Sequence, residues 1–317
     1  MKVVAILGGL GSQMFKYAFF WQLKDEDKCY IDTTPFRLQK MWNGYELGRI
    51  FGIIEDDITK FLTEDDLRNW REEGINYKKV SERIMPGVDK SKLVISIFRG
   101  YCYPQEKYKI LSFMALAYNK LKRYLCREKI KDEYPFFYKT NLFSIYYDEF
   151  NHTSDKYLGN GKKKVELRNI FCFPPFTDDR NLKAMDFMEK TESVAVHVRR
   201  SDHMYDNIKL FENGYFEKTV HYIKEHTDKP VFFLFSDEPD WCRQNKKLLG
   251  LEVDDKVEIV DWNVGDESFR DMQLMTYCQH NILSISSFGW WGYYLSSRKE
   301  KMVCAPEGYW LEVAIHF

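Results

Sequence analysis

Two adjacent arginines and an aspartate stand in His197-Val198-Arg199-Arg200-Ser201-Asp202, at the end of the β-branched run 193–198. A guanidinium is permanently charged and carries a fork of donors matched to phosphate oxygens. The stretch could therefore hold a diphosphate. Consecutive side chains of a strand point to opposite faces. One arginine is then expected to meet a ligand while the other pairs with a carboxylate such as Asp202. The same residues read equally well as an ion pair at the surface.

Ser284-Ile285-Ser286-Ser287-Phe288-Gly289-Trp290-Trp291-Gly292 reads as a strand entering a helix. Hydroxyls and unpaired amides at a helix start can bind an anion; a serine N-cap with an aromatic staple explains the pattern slightly better. Gly8-Gly9-Leu10-Gly11-Ser12-Gln13 lets backbone approach a ligand, although a tight β–α turn suffices. It is neither a G-x-G-x-x-G fingerprint nor a Walker loop. Asp237, in Ser236-Asp237-Glu238-Pro239, could accept from a ribose or a purine edge, or could cap a helix.

These stretches need strand ends and helix starts to place them. Residues 2–7 predict a buried strand, and a helix follows from about 13 to 24. Further strands are expected at 29–32, 92–98, 193–198, 231–235, 257–260, 281–285 and 302–305. Phe216, Val220 and Ile223 share a helix face, as do Met272, Met275 and Cys278; 290–297 reads as a short helix. Alternating strands and helices predict parallel, doubly wound sheets in both halves. Ligands of such sheets lie beyond the carboxyl ends of the strands. Residues 111–170 are rich in Lys, Tyr and Phe, with poor periodicity after Tyr134, and Phe173-Pro174-Pro175 breaks the chain at a domain boundary or linker placed near 174–190.

With 317 residues and 44% hydrophobic content, the chain has material for two cores. A net charge of -1 gives no basic excess for nucleic acid. Seven scattered cysteines without a CxxC pair suit a reducing compartment. No apolar run approaches the roughly 18 residues of a membrane span, so a cytoplasmic protein with at most peripheral membrane contact is expected. No histidine lies in a zinc motif, and Asp25-Glu26-Asp27 reads as a charged surface turn; no metal is expected.

GGLGSQMFKYAF at 8–19, GYCYPQEKY at 100–108, VAVHVRRSD at 194–202, FFLFSDEPDWC at 232–242 and DMQLMTYCQHNILSISSFGWWGYYL at 271–295 occur in this order. Together they resemble the α-1,2-fucosyltransferases of glycosyltransferase family eleven. The resemblance implies a GT-B-like α/β architecture of two Rossmann-like domains facing a cleft, drawn here at 1–175 for the acceptor side and 176–317 for the donor side. It implies inverting, metal-independent transfer of L-fucose from GDP-fucose to the 2-hydroxyl of an acceptor sugar. The partners it implies are that donor and a glycan, a lipid-linked glycan among the candidates, in surface polysaccharide synthesis.

By the same resemblance Arg199 and Asp202 are the catalytic candidates. His197, Arg199, Asp237, Ser286, Ser287 and Phe288 would face the donor. Gly9, Gly11, Ser12 and Gln13 would lie on the sugar and acceptor side. The chain departs from the family pattern at Lys16, Ser201, His203 and Ile285, and at Ser12, where Asn is usual. Ser cannot offer both a carbonyl and an amide to a sugar. Two alternatives follow: the same fold with another nucleotide sugar, and a non-catalytic nucleotide-sugar-binding homologue.

Overall fold

Short β-branched and aromatic runs, stopped by glycine, serine or proline, supply the strands. The computed structural model describes residues 2–24, 29–38, 42–73, 77–84, 86, 138–139, 144–146, 158, 161–200, 204–307 and 314–317. The expected strand at 92–98 and the motif at 100–108 lie outside them.

In the first half, β1 (Lys2–Ala5) leads through the glycine loop into α1 (Leu10–Leu23), and β2 (Cys29–Asp32) follows. The helix begins three residues earlier than its apolar period suggests, because Gly9 already accepts from the amide of Gln13 at 3.0 Å. Then come α2 (Thr34–Leu38), α3 (Leu47–Phe51), α4 (Glu64–Glu73), α5 (Tyr77–Ile84), β3 (Tyr138–Lys139) and β4 (Ser144–Tyr146). The sheet order is β2-β1-β4-β3. β1 is parallel to both neighbours, but β3 runs antiparallel to β4. The expectation of a purely parallel first sheet is thereby corrected.

The second half carries α6 (Gly161–Ile170), α7 (Asp179–Glu189) and β5 (Ser193–Val198). Next are α8 (Met204–Glu212), α9 (Tyr215–His226), β6 (Val231–Ser236), α10 (Pro239–Gln244) and β7 (Lys256–Val260). The chain ends with α11 (Phe269–Met275), β8 (His280–Ile282), α12 (Ser287–Leu295), β9 (Val303–Ala305) and β10 (Ile315–His316). The expected linker at 174–190 is irregular only as far as Asp178. That carboxylate accepts from the amide of Asn181 at 2.8 Å and starts α7.

All pairings in the second sheet are parallel, in the order β10-β9-β8-β5-β6-β7. Counted from β7, the strands enter third, second, first, fourth, fifth and sixth, the order of dinucleotide-binding sheets. The order reverses between β5 and β8, and their carboxyl ends frame a crevice. The period of two divides the strand residues between the faces. Val194, Val196, Phe232 and Leu234 pack with Phe216, Val220 and Ile223 of α9, while Ala195, Phe233 and Phe235 pack with Met188, Leu274 and Met275.

A third core joins the two halves. Phe15 of α1 lies 4.7 Å from the Trp290 ring and 4.8 Å from Trp291, centroid to centroid, and Phe171 lies 5.1 Å from Trp291. Both tryptophans are fully buried. The Trp291 indole donates to the carbonyl of Gly11 at 3.0 Å. A Cβ on Gly11 would stand 2.7 Å from the amide nitrogen of Phe288 and from the carbonyl carbon of Ser287. Only a glycine lets the two helix starts approach this closely. Among the described residues, no helix is long and apolar enough to cross a membrane.

Gly11→Ala must therefore push α1 off the backbone of α12. A loss of about 1–3 kcal/mol in urea unfolding is expected, as for other overpacked cores. Gly161→Ala, in open space at the start of α6, should show no such loss. Equal stability of Gly11→Ala and the parent protein would refute the packing argument.

Candidate active site at the sheet switch point

The crevice between β5 and β8 gathers the residues that follow both strands. The hydroxyl of Ser284 accepts from the amide of Arg199 at 3.2 Å and lies 2.9 Å from Nδ1 of His197. A serine hydroxyl can accept one bond while donating another, which suits a neutral imidazole with Nδ1 as acceptor. Burial first, and the Arg199 charge second, pull the His197 pKa down to about 3. Its ring lies 5.9 Å from that of Phe288 at an interplanar angle of 24°. A Cβ on Gly289 would sit 2.8 Å from Nδ1, so the start of α12 can rest on the imidazole only because residue 289 has no side chain. His197 was expected to face the donor. At 5% exposure it is instead part of the wall that fixes Ser284.

The two arginines follow the last residue of β5, Val198, and have different partners. Arg200 donates through Nε to Glu238 at 2.9 Å, and its guanidinium lies 3.7 Å from the centre of the Trp241 ring. It is a structural cation whose partner is Glu238. Arg199 lies 3.5 Å from the carboxylate of Asp237, and 23% of its side chain stays exposed. The other Asp237 oxygen accepts from the amide of Arg200 at 3.0 Å. Asp237 was expected to contact a nucleoside; in this structure it anchors both arginines. Asp202, with Ser201 and His203, lies outside the described residues.

Ser286 accepts from the amide of Phe288 at 3.2 Å and is the N-cap of α12. The Phe288 amide, expected to share in phosphate binding, is held by that cap. The loop before it is clamped by Asn207 of α8, which is fully buried. Asn207 Oδ1 accepts from the amide of Ile285 at 2.8 Å, and Nδ2 donates to the Ile285 carbonyl at 3.3 Å. Sequence reading missed Asn207; the signal was an amide side chain on a helix that leads away from the arginine pair.

The glycine loop of the first half closes the crevice. Ser12 Oγ lies 3.4 Å from Ser287 Oγ, so two hydroxyls expected on opposite sides of a cleft meet. Gly11 contacts the same turn. Gln13, expected on the sugar and acceptor side, holds main-chain groups in this structure. It is fully buried, donates to the carbonyls of Gly8 and Gly44 at 2.9 Å each, and accepts from the amide of Glu46 at 2.9 Å. It ties the glycine loop to the 44–46 turn. Among the described residues, no group of three or more His, Cys, Asp or Glu side chains is placed to hold a metal ion.

An arginine-bearing switch point in one α/β half, closed against a glycine loop of another, defines a GT-B architecture. The structure of the fucosyltransferase NodZ from Bradyrhizobium shares the fold, with a TM-score of 0.51 at 12% identity, covering 92% of this chain and 91% of that one. The chain belongs to glycosyl transferase family 11, whose sequence profile matches residues 3–309. An α-1,2-colitosyltransferase of Escherichia coli is 33% identical over 149 residues, 45% of this chain and 49% of that protein. That match spans about half of the relative's length. The O-antigen biosynthesis glycosyltransferase WbnK of Escherichia coli is 23% identical over 315 residues, 94% of this chain and 91% of the other. Galactoside α-(1,2)-fucosyltransferase 2 of Mus musculus is 32% identical over 108 residues, 32% of this chain and 30% of its own length.

The depressed pKa of His197 makes stability pH-dependent. The unfolded chain takes up a proton at this residue below about pH 6.5, whereas the native imidazole does so only near pH 3. Stability at this site is therefore full above about pH 6.5 and is lost as pH falls toward the folded pKa. His197→Gln cannot titrate, so its urea midpoint should fall less steeply than the parent's between about pH 7 and 5. Parallel profiles would remove His197 from the pH response.

Proposed function

We propose that the protein is an inverting, metal-independent α-1,2-fucosyltransferase that moves L-fucose from GDP-fucose to the 2-hydroxyl of an acceptor glycan in surface polysaccharide synthesis. The observation that carries this reading is the bond of the Arg199 amide to Ser284, just ahead of the Ser286 cap of α12, at the switch point of a chain whose family match runs over 3–309. The names of the colitosyl- and fucosyltransferase relatives support the linkage. The acceptor is a glycan, lipid-linked glycans included, met on the cytoplasmic side with at most peripheral membrane contact.

In this reading the acceptor oxygen attacks the anomeric carbon, the bond from that carbon to the diphosphate oxygen breaks, and the hydroxyl proton passes to a base. Negative charge grows on the departing diphosphate. Arg199 and the positive end of α12, at Ser286 and Ser287, stabilise it from positions fixed beforehand. Asp202 orients an arginine or the acceptor. No metal is needed because the arginine supplies the positive charge. A second reading, transfer of a colitosyl group, is favoured by the 33% identity to the colitosyltransferase and by the serine at position 12.

Calorimetric titration with GDP, GDP-fucose, GDP-mannose and UDP in EDTA tests the donor. Binding of GDP and GDP-fucose, with GDP released once acceptor is added, is the expected result. A preference for UDP, or activity lost in EDTA and restored by Mn²⁺, would overturn the donor or the metal-free mechanism respectively. Arg199→Ala should lower kcat about a hundredfold or more, as removal of a preorganised donor does. Near-normal turnover of the folded variant would exclude Arg199 from leaving-group stabilisation.

A further inference from the structure

We propose that the indole of Trp42 is a stacking platform for the acceptor saccharide. The proposal rests on the glycosyltransferase reading and adds to it a binding residue and the face of the sugar it takes.

Trp42 is 50% exposed, unlike the buried tryptophans of α12. Its backbone φ is 44°, in the left-handed region that bulky L-residues adopt only at a cost. Such a conformation persists where its surroundings fix it. The next residue, Asn43, donates through Nδ2 to the Gly265 carbonyl at 3.0 Å and to the Ser268 hydroxyl at 2.9 Å, both in the second half. Gly44 and Glu46 are held on the other side by Gln13. Arg49 adds a bond to the carbonyl of Asp266 at 2.7 Å. A polar lattice from both halves thus pins the segment, while the aromatic ring it carries is left half in water.

The position of the ring suits a ligand. A Cβ on Gly9 would lie 3.7 Å from Cδ1 of Trp42 and 3.9 Å from Cγ and Nε1, so the indole rests on the bare backbone just before α1. Two and three residues further on, Gly11 and Ser12 meet the start of α12. The indole therefore borders the contact between the halves, on the side of the glycine loop. A pyranose has one face of C–H groups and a rim of hydroxyls. Its polarised C–H bonds are attracted to the electron-rich face of an indole, and the hydroxyls keep their hydrogen bonds to water or to groups such as Ser12. A rigid aromatic orders few rotors on binding, which makes it an effective anchor.

Lactose, a β-galactoside, serves as an unreactive probe in saturation-transfer NMR with the full chain. Trp42→Ala should weaken lactose binding about tenfold or more, and Trp42→Phe should retain most of it. The thermal midpoint, with GDP titration where the parent binds GDP, reports the fold separately. Equal lactose affinity for the parent and Trp42→Ala, or no contact with the parent at all, would overturn the platform. Lactose binding that depends on Trp42 in a protein that transfers no sugar would retire the transferase reading and leave the platform standing.

Discussion

The approach of Gly11 to the backbone of Ser287 and Phe288 is the constraint from which the rest of the site follows. Two helix starts from different α/β halves touch there with no side chain between them. The indole of Trp291 crosses the contact to reach the Gly11 carbonyl, and Phe15 and Phe171 pack around it. Large buried aromatics surround a point that only the smallest residue can occupy. The apolar area buried by Trp290 and Trp291 stabilises the junction, and Gly11 sets its spacing. Ser12 and Ser287 are brought together as a consequence.

Around this junction, charge is balanced before any ligand arrives. Arg199 is paired with Asp237, and Arg200 with Glu238 over the Trp241 ring. His197 adds no positive charge, because burial and the Arg199 charge keep it neutral. Among the described residues of the crevice, Arg199 keeps 23% of its side chain exposed beside the strand end that leads to α12. An exposed ion pair contributes little to stability, so the Arg199–Asp237 contact, partly exposed at 3.5 Å, is better suited to poising the guanidinium than to holding the fold. Arg200, stacked and bonded more closely, is the structural member of the pair.

The second sheet was legible because its central strands, 193–198 and 231–236, are mostly apolar runs with helical periods after them; 193–198 is recovered to the residue. The first sheet was less so. Its antiparallel pair, β3 and β4, consists of two and three residues, too few for a period to show. In the site, residue type pointed to the arginines and the serines, but alternation does not account for the parting of Arg199 and Arg200, because β5 ends at Val198 and Arg200 is drawn to Glu238. What the sequence could not show is which polar groups are spent on the backbone. Gln13 is indistinguishable from a sugar-binding amide until the carbonyls of Gly8 and Gly44 are found at its nitrogen. Asn207 shows only as an amide on a helix after the arginine pair, and its partner, Ile285, lies 78 positions away.

Those two amides perform the same task on opposite sides of the junction. Each is fully buried, and each uses both its donor and its acceptor on main-chain groups of a loop that borders the site. Loops beyond strand ends have backbone groups that no ladder satisfies, and a buried amide side chain can bond both kinds at once. Fixing the loops in this way removes the slack that a change at the junction would otherwise use. Position 12 is the clearest case. With Gly11 against α12 and Ser12 Oγ already 3.4 Å from Ser287 Oγ, a longer side chain in place of Ser12 could not keep this contact unchanged. The serine at this position therefore goes with the close hydroxyl pair that spans the junction.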